Sequence, residues 1–280
     1  MNDILAKIVE QKRADLRVWQ AARGTEDMRR DAAAMPPARN FAAALRGPRP
    51  RGATPASGRL NVISEVKRKS PSKGHFPWHG DAPRQARDYV AGGAAAISVV
   101  TDGPFFDGSL ELFAQVRAAV DLPMIQKDFV LEPWQVYQAR AIGADACLLI
   151  AAILPPALLA ELHACATEIG LHALVEVTDE AEWEAADAAG AQIIGVNNRD
   201  LRDFSVDTQR TRALLPRYRE EQICVAESGL HIPEDLLGLH EAGVDAYLIG
   251  ESLMRAEDPA AHLRALSQPF GAGAEQERAS

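Results

Sequence analysis

The chain has 280 residues, 47% hydrophobic and 25% charged, and 39 acidic against 30 basic residues give a formal net charge of −9. That composition excludes disorder as the dominant state and suits one large α/β barrel or two smaller domains. The acidic balance argues against a nucleic-acid surface, and no apolar run approaches the roughly 20 residues that span a bilayer, so neither nucleic acid nor membrane is an expected partner.

Ile4, Leu5, Ile8, Val9 and Leu16 are spaced as the apolar face of a helix over the first residues. The segment is charged where a secretory signal would be apolar, which predicts a cytoplasmic protein. From Gly47 to Gly58 the run GPRPRGATPASG is dense in Pro, Gly and small polar residues and reads as a connector. The chain therefore divides into an N-terminal helical extension with its connector (1–58), a main domain (59–268) and a flexible tail (269–280) with nothing to bury. Cys147, Cys165 and Cys224 form no CxxC or Cys/His cluster, which argues against a disulfide scaffold or structural zinc, and no metal site is expected.

Within the main domain the sequence repeats itself. The segments AGGAAAISVV, AIGADACLLI, AAGAQIIGVN and EAGVDAYLIG share a small-Gly-x-x-apolar pattern, with Gly93, Gly143, Gly190 and Gly243 spaced by 50, 47 and 53 residues. Each glycine reads as a helix C-cap followed by a buried strand. Four further apolar runs lie between them: LNVISEVK, LPMIQKDF, LHALVEVT and QICVAESG. Eight strands alternating with amphipathic helices predict parallel βαβ units closed into an α/β fold of the (β/α)8 TIM-barrel type. The rival, a doubly wound open sheet, would be favoured by a GxGxxG after the first strand, and none is present.

Barrel chemistry sits at the C-terminal ends of the strands. Those ends read Ser64-Glu65-Val66-Lys67, Gln126-Lys127-Asp128-Phe129, Val175-Glu176-Val177, Val196-Asn197-Asn198-Arg199 and Ala226-Glu227-Ser228-Gly229. Alternation puts Glu65 and Lys67 on one face, towards the mouth, where Lys127, Glu176 and Glu227 would converge. A buried structural ion pair would explain Glu65 and Lys67 alone. It does not explain three carboxylates and two ammonium groups in one cavity. The glycine-bearing ends Ser228-Gly229 and Ile249-Gly250-Glu251-Ser252 fall where barrels hold a phosphate on backbone N–H groups. The loop Lys69-Ser70-Pro71-Ser72-Lys73-Gly74 brings cations and hydroxyls after the first strand, or is a solvated connector. His75 and His79 read as surface histidines, and His163 and His172 as structural. Trp19, Trp134 and Trp183 read as packing residues on helix faces, and Ser228 lacks the setting of a hydrolase nucleophile.

The run from Ile63 to Gly74, ISEVKRKSPSKG, closely resembles the first-strand motif of the indole-3-glycerol phosphate synthases of tryptophan biosynthesis. The resemblance continues in order through Ala96–Thr101, Phe105–Ser109, Gln126–Phe129, Leu174–Val177, Gly195–Leu201, Val225–Gly229 and Leu248–Leu253, and includes the N-terminal helix. It implies a lyase that closes the ring of 1-(2-carboxyphenylamino)-1-deoxyribulose 5-phosphate and releases indole-3-glycerol phosphate, carbon dioxide and water, with no cofactor.

The resemblance assigns roles by position. Lys127 is the expected general acid at the carbonyl oxygen, kept charged by nearby carboxylates, and Glu176 the base, assisted by Glu65 and Lys67. Asn197 and Arg199 would orient hydroxyls and carboxylate, and Glu227 a sugar hydroxyl. Phosphate would meet Ser70, Ser228, Gly229, Gly250 and the backbone of Glu251, whose side chain is expected to turn away. The anthranilate ring would lie against Phe106 and Phe129. The segment His75-Phe76-Pro77-Trp78-His79 departs from the family pattern. The expected partner is the small phosphorylated substrate, for a chain that works as a monomer, with association with neighbouring tryptophan-pathway enzymes left open. A phosphoribosyl isomerase would carry Cys/Asp or Asp/Asp where this chain has Glu65 and Glu176, and a silent phosphate sensor would lack Lys127.

Overall fold

The computed structural model describes residues 4–46, 53, 58–77, 81–200 and 205–268; most of the connector, Trp78, His79 and the tail fall outside the described residues. Eight strands form where the eight apolar runs predict them: β1 (Asn61–Val66), β2 (Ala96–Val100), β3 (Met124–Lys127), β4 (Ala146–Ile150), β5 (His172–Val177), β6 (Ile193–Asn197), β7 (Ile223–Glu227) and β8 (Ala246–Ile249). They close into one parallel barrel in chain order, with Ser64 of β1 opposite Ile249 of β8 and Ile97 of β2 on its other side. This is a (β/α)8 TIM barrel.

Gly93, Gly143, Gly190 and Gly243 have φ of 92°, 85°, 82° and 107°, the left-handed conformation that ends a helix cheaply only for glycine. Alternation along each strand sorts two apolar populations. Ile63, Ile125, Leu174, Ile193 and Val225 fill the interior, while Val62, Val99, Cys147, Val175 and Cys224 pack outward against helices. The three cysteines are buried and form no disulfide. Trp19 of helix α1 (Ile4–Ala22) stacks on Trp134 at 6.1 Å between centroids, and Trp183 packs on Tyr218 at 5.9 Å, the packing roles expected of them.

The N-terminal extension holds more than the one helix that periodicity picks out. After α1 come α2 (Thr25–Ala33) and α3 (Phe41–Leu45). Helix α2, TEDMRRDAA, buries only Met28 and Ala32, and α3 has five residues, so neither carries a readable apolar period. Helix α3 closes the base of the barrel. Asn40 caps it by accepting from Ala43 N–H at 2.9 Å, Asn61 Nδ2 donates to Leu45 O, and Arg46 Nη1 donates to Gln222 O at 3.0 Å, just ahead of β7.

Helix α1 instead reaches the opposite end. Its Lys12 is only 2% exposed, yet its ammonium lies 2.7 Å from Asp128 and 3.3 Å from Asp102, directly after β3 and β2. Burial opposes the charge on Lys12, and the two carboxylates outweigh it, so its pKa is raised.

Candidate active site

The residues expected to act on or bind the substrate, Glu65, Lys67, Ser70, Phe106, Lys127, Phe129, Glu176, Asn197, Arg199, Glu227, Ser228, Gly229, Gly250 and Glu251, all line one cavity at the C-terminal end of the barrel, open to solvent above. The charged groups on its floor form one network. Lys127 Nζ lies 2.7 Å from Glu227 Oε2 and 3.2 Å from Glu176 Oε2, joining strands β3, β5 and β7. Asn197 Nδ2 donates to the second Glu176 oxygen at 3.0 Å, and Asn197 Oδ1 accepts from Arg199 N–H at 3.0 Å. Glu176 is thereby held at both oxygens. Lys67 pairs with Glu65 of its own strand end at the same mouth.

Two glycines make the carboxylates fit. A Cβ on Gly195 would stand 2.2 Å from Glu227 Oε1, and one on Gly250 would stand 2.2 Å from Glu65 Oε1. Both positions point inward, where any larger residue would take a carboxylate's space. Glu227 Oε1, folded over Gly195, is buried without a hydrogen-bond partner.

Burial and charge shift these groups in opposite directions. Burial pushes the Glu227 carboxyl up to about 7, Lys127 counteracts it and Glu176 adds to it. For Glu65, burial acts upward, but Lys67 and Lys127 outweigh it and the net shift is downward. Lys127 is itself buried, which disfavours its charge, yet Glu227, Glu176 and Glu65 raise its pKa well above the ordinary value. The site thus holds a firmly charged ammonium beside a carboxyl that titrates near neutrality.

Phe106 and Phe129 stand 5.9 Å apart between centroids, tilted by 37°, and wall one side. The short helix Gly103–Phe106 is capped by Asp102, which accepts from Phe105 N–H at 3.2 Å, and Phe129 N–H donates to Asp128 at 2.7 Å. Both aspartates are the partners of Lys12, so the N-terminal helix braces the aromatic wall. Opposite, Ser228 and Gly229 have φ of 66° and 72°. A serine in this conformation is strained, and Asn198 Nδ2 holds the turn by donating to Ser228 O at 3.1 Å.

Three placements differ from the reading of the sequence. The Glu251 side chain does not turn away from the mouth. Its carboxylate lies 3.6 Å from both Lys73 and Arg199 and 3.5 Å from Arg255, because cations from three segments surround it. Ser70 lines the cavity, but its hydroxyl accepts from Lys73 N–H at 3.2 Å within a hairpin formed by Lys69–Ser70 and Gly74–His75, which the sequence did not suggest. The atypical segment after that hairpin does contribute. Phe76 is buried in the cavity wall, its ring 5.7 Å from Lys67 Nζ and 5.2 Å from Arg255 Cζ. Its only signal in the sequence was an aromatic shortly after a cationic loop. His75 is exposed, as expected.

Fold and site together define a (β/α)8-barrel enzyme. The family model described as indole-3-glycerol phosphate synthase matches residues 5–266. An indole-3-glycerol phosphate synthase of Azoarcus sp. (strain BH72) is 45% identical over 95% of this chain and 99% of its own length. Indole-3-glycerol phosphate synthase 2 of Streptomyces coelicolor is 46% identical over 95% of this chain and 99% of its own. Among solved structures, thiamine phosphate pyrophosphorylase from Pyrococcus furiosus superposes with a TM-score of 0.55 at 19% identity, covering 75% of this chain and 94% of that one, a likeness of fold alone. The chain belongs to the indole-3-glycerol phosphate synthase family, the carboxy-lyases that form the indole ring in tryptophan biosynthesis. Among the described residues no helix is long and apolar enough to cross a membrane.

Proposed function

We propose that the network around Lys127 carries out ring closure, decarboxylation and dehydration of 1-(2-carboxyphenylamino)-1-deoxyribulose 5-phosphate. The observation that carries this division of labour is the Lys127 ammonium, 2.7 Å from Glu227 and 3.2 Å from Glu176 on the cavity floor. In the first step the ring carbon bearing the carboxylate bonds to the ribulose carbonyl carbon, and the carbonyl oxygen takes a proton from Lys127. Loss of carbon dioxide then returns an electron pair to the ring. In the last step the new hydroxyl takes a proton from Lys67 and leaves as water while Glu176 removes a C–H proton, which completes the indole.

The three carboxylates keep Lys127 charged, and by the same attraction they weaken it as an acid. Protonation of Glu227 removes one of those negative charges and makes the ammonium more acidic. A carboxyl that titrates at about 7 and lies 2.7 Å from the amine is also placed to return the spent proton. Glu65 and Lys67 assist, and Arg199 orients the anionic end of the substrate. The ring is wedged against Phe106 and Phe129. The phosphate lies against Ser70, Ser228, Gly229, Gly250 and the backbone of Glu251. Positioning supplies much of the acceleration in such a closure.

The same reading treats residues 1–58 as a brace on a 59–268 catalytic barrel, in a monomeric cytoplasmic enzyme that needs no cofactor. Monomeric behaviour is supported by the surface: Val18, Val90, Val206 and Ile232 are the exposed large apolar residues among those described. Sedimentation at micromolar concentration checks it. The test of the roles is Lys127→Met beside Glu176→Gln. The first abolishes product while substrate affinity stays within a few fold. The second lets carbon dioxide form in a single turnover faster than indole. Product formation by Lys127→Met at the wild-type rate would remove the acid assignment.

A further inference from the structure

The proton proposed to come from Lys67 in the last step sits at the end of a flexible four-carbon stem. Glu65 holds that ammonium by an ion pair. A single carboxylate sets a distance and leaves the ammonium free to swing about it. Further carboxylates would hold it more firmly and weaken it as an acid, as Glu227, Glu176 and Glu65 do for Lys127. The face of an aromatic ring attracts a cation without a formal charge, so it restrains an ammonium at less cost to its acidity. The hairpin after β1 supplies such a ring. It pairs Lys69 with His75 and Ser70 with Gly74, whose φ is 69°, so Phe76 falls beside Arg68 and donates its N–H to Arg68 O at 2.9 Å. The next residue back is Lys67, whose Nζ lies over the Phe76 ring at 5.7 Å from the centroid, with both residues in the cavity wall. Phe76 is only 6% exposed, so little water competes for the ring. Arg255 also approaches it, at 5.2 Å, but is 46% exposed and pairs with Glu251.

We infer that Phe76 is a positioning residue for the reaction: the face of its ring restrains the Lys67 ammonium, so that Glu65 and the ring together fix where the proton is delivered. This rests on the proposed role of Lys67 as the proton donor in dehydration. Phe76 acts through the lysine and carries no group that transfers a proton. The attraction comes from the electron-rich face, so replacing ring hydrogens by fluorine weakens it stepwise while the shape of the wall is nearly kept. Ring closure draws its proton from Lys127. The effect of Phe76 therefore falls on dehydration, after carbon dioxide has left.

The test replaces Phe76 in the full-length protein by phenylalanines carrying one, two and three ring fluorines, and follows carbon dioxide release and indole-3-glycerol phosphate formation side by side in a single turnover of the synthetic substrate. The lag of indole behind carbon dioxide lengthens with each added fluorine, by about three- to tenfold across the series, while carbon dioxide release and substrate affinity stay within about twofold. The dependence persists in an Arg255→Met background and is absent in a Lys67→Met background. A lag that does not change with fluorination overturns the inference, as does equal slowing of carbon dioxide release. A dependence that survives in Lys67→Met, or vanishes in Arg255→Met, overturns it as well. Lys67→Met alone reports on the role beneath: a wild-type lag in that variant removes the lysine as the donor. A flat fluorine series in an enzyme that Lys67→Met stalls after carbon dioxide release removes the positioning alone.

Discussion

Gly195→Ala separates the geometry of the acid network from the stability of the barrel. The new methyl would stand 2.2 Å from Glu227 Oε1, whereas real contacts of this kind keep at least 3.0 Å, so the oxygen has to retreat by about 0.8 Å or more. The obstructing atom is the end of a side chain, and the next neighbour, Leu174 Cδ1, would be at 3.2 Å, so the backbone need not move. Glu227 can retreat only by changing its approach to Lys127, from which its other oxygen is 2.7 Å away. A misplacement of about 1 Å in a reacting constellation costs on the order of 10²-fold in rate. The variant should therefore keep a melting temperature within a few degrees of the wild type and lose about 10- to 100-fold in kcat, with KM little changed. Steady-state turnover beside thermal unfolding reads both quantities. Wild-type kcat in a folded Gly195→Ala protein would refute the view that Glu227 must be held against Lys127.

Gly108→Ala is expected to behave differently, because its Cβ would meet backbone: Val100 O at 2.3 Å and Thr101 C at 2.8 Å. Overpacking of this kind costs about 1–3 kcal/mol, and chemical denaturation should show that loss together with a raised KM, since the shifted loop carries Phe106. Lys12→Met leaves Asp102 and Asp128 buried without their cation and should destabilise the protein by about 3–5 kcal/mol in urea; a loss below about 1 kcal/mol would make the N-terminal brace dispensable. Glu227 supplies a pH test. Its folded pKa of about 7 lies above the ordinary 4.5, so the folded state gains protons first, and the stability this confers is present below pH 4.5 and lost as pH rises through about 7. At about 1.36 kcal/mol per unit the wild type should lose on the order of 3 kcal/mol across that window relative to Glu227→Gln, and parallel slopes for the two proteins would contradict the shift.

The barrel was legible because its strands are buried on both faces. Runs such as AISVV and ACLLI stand out against charged helices, and glycines such as Gly93 and Gly143 occur where helix must turn into strand. The floor of the site was legible for a related reason: Glu65, Lys127, Glu176 and Glu227 are charges at the ends of apolar strands, and only convergence on one mouth explains them. What stayed hidden depended on contacts far apart in the chain. Lys12 looks like any lysine on the wet face of an amphipathic helix, until the barrel presents Asp102 and Asp128 to it. Glu251 looked like a charge that must avoid a phosphate, because the three cations that surround it come from segments up to 178 positions away, Lys73 being the farthest. Gly195 and Gly250 gave no sign in sequence that they clear space for carboxylates of the neighbouring strands.

The most direct test of the account is fluorescence detection of indole-3-glycerol phosphate, formed from synthetic 1-(2-carboxyphenylamino)-1-deoxyribulose 5-phosphate by the purified protein with a chelator present. Product should appear at a catalytic rate in the wild type, with carbon dioxide released in equal amount, and be absent with Lys127→Met. A folded wild-type protein that binds the substrate and releases neither product nor carbon dioxide would contradict it.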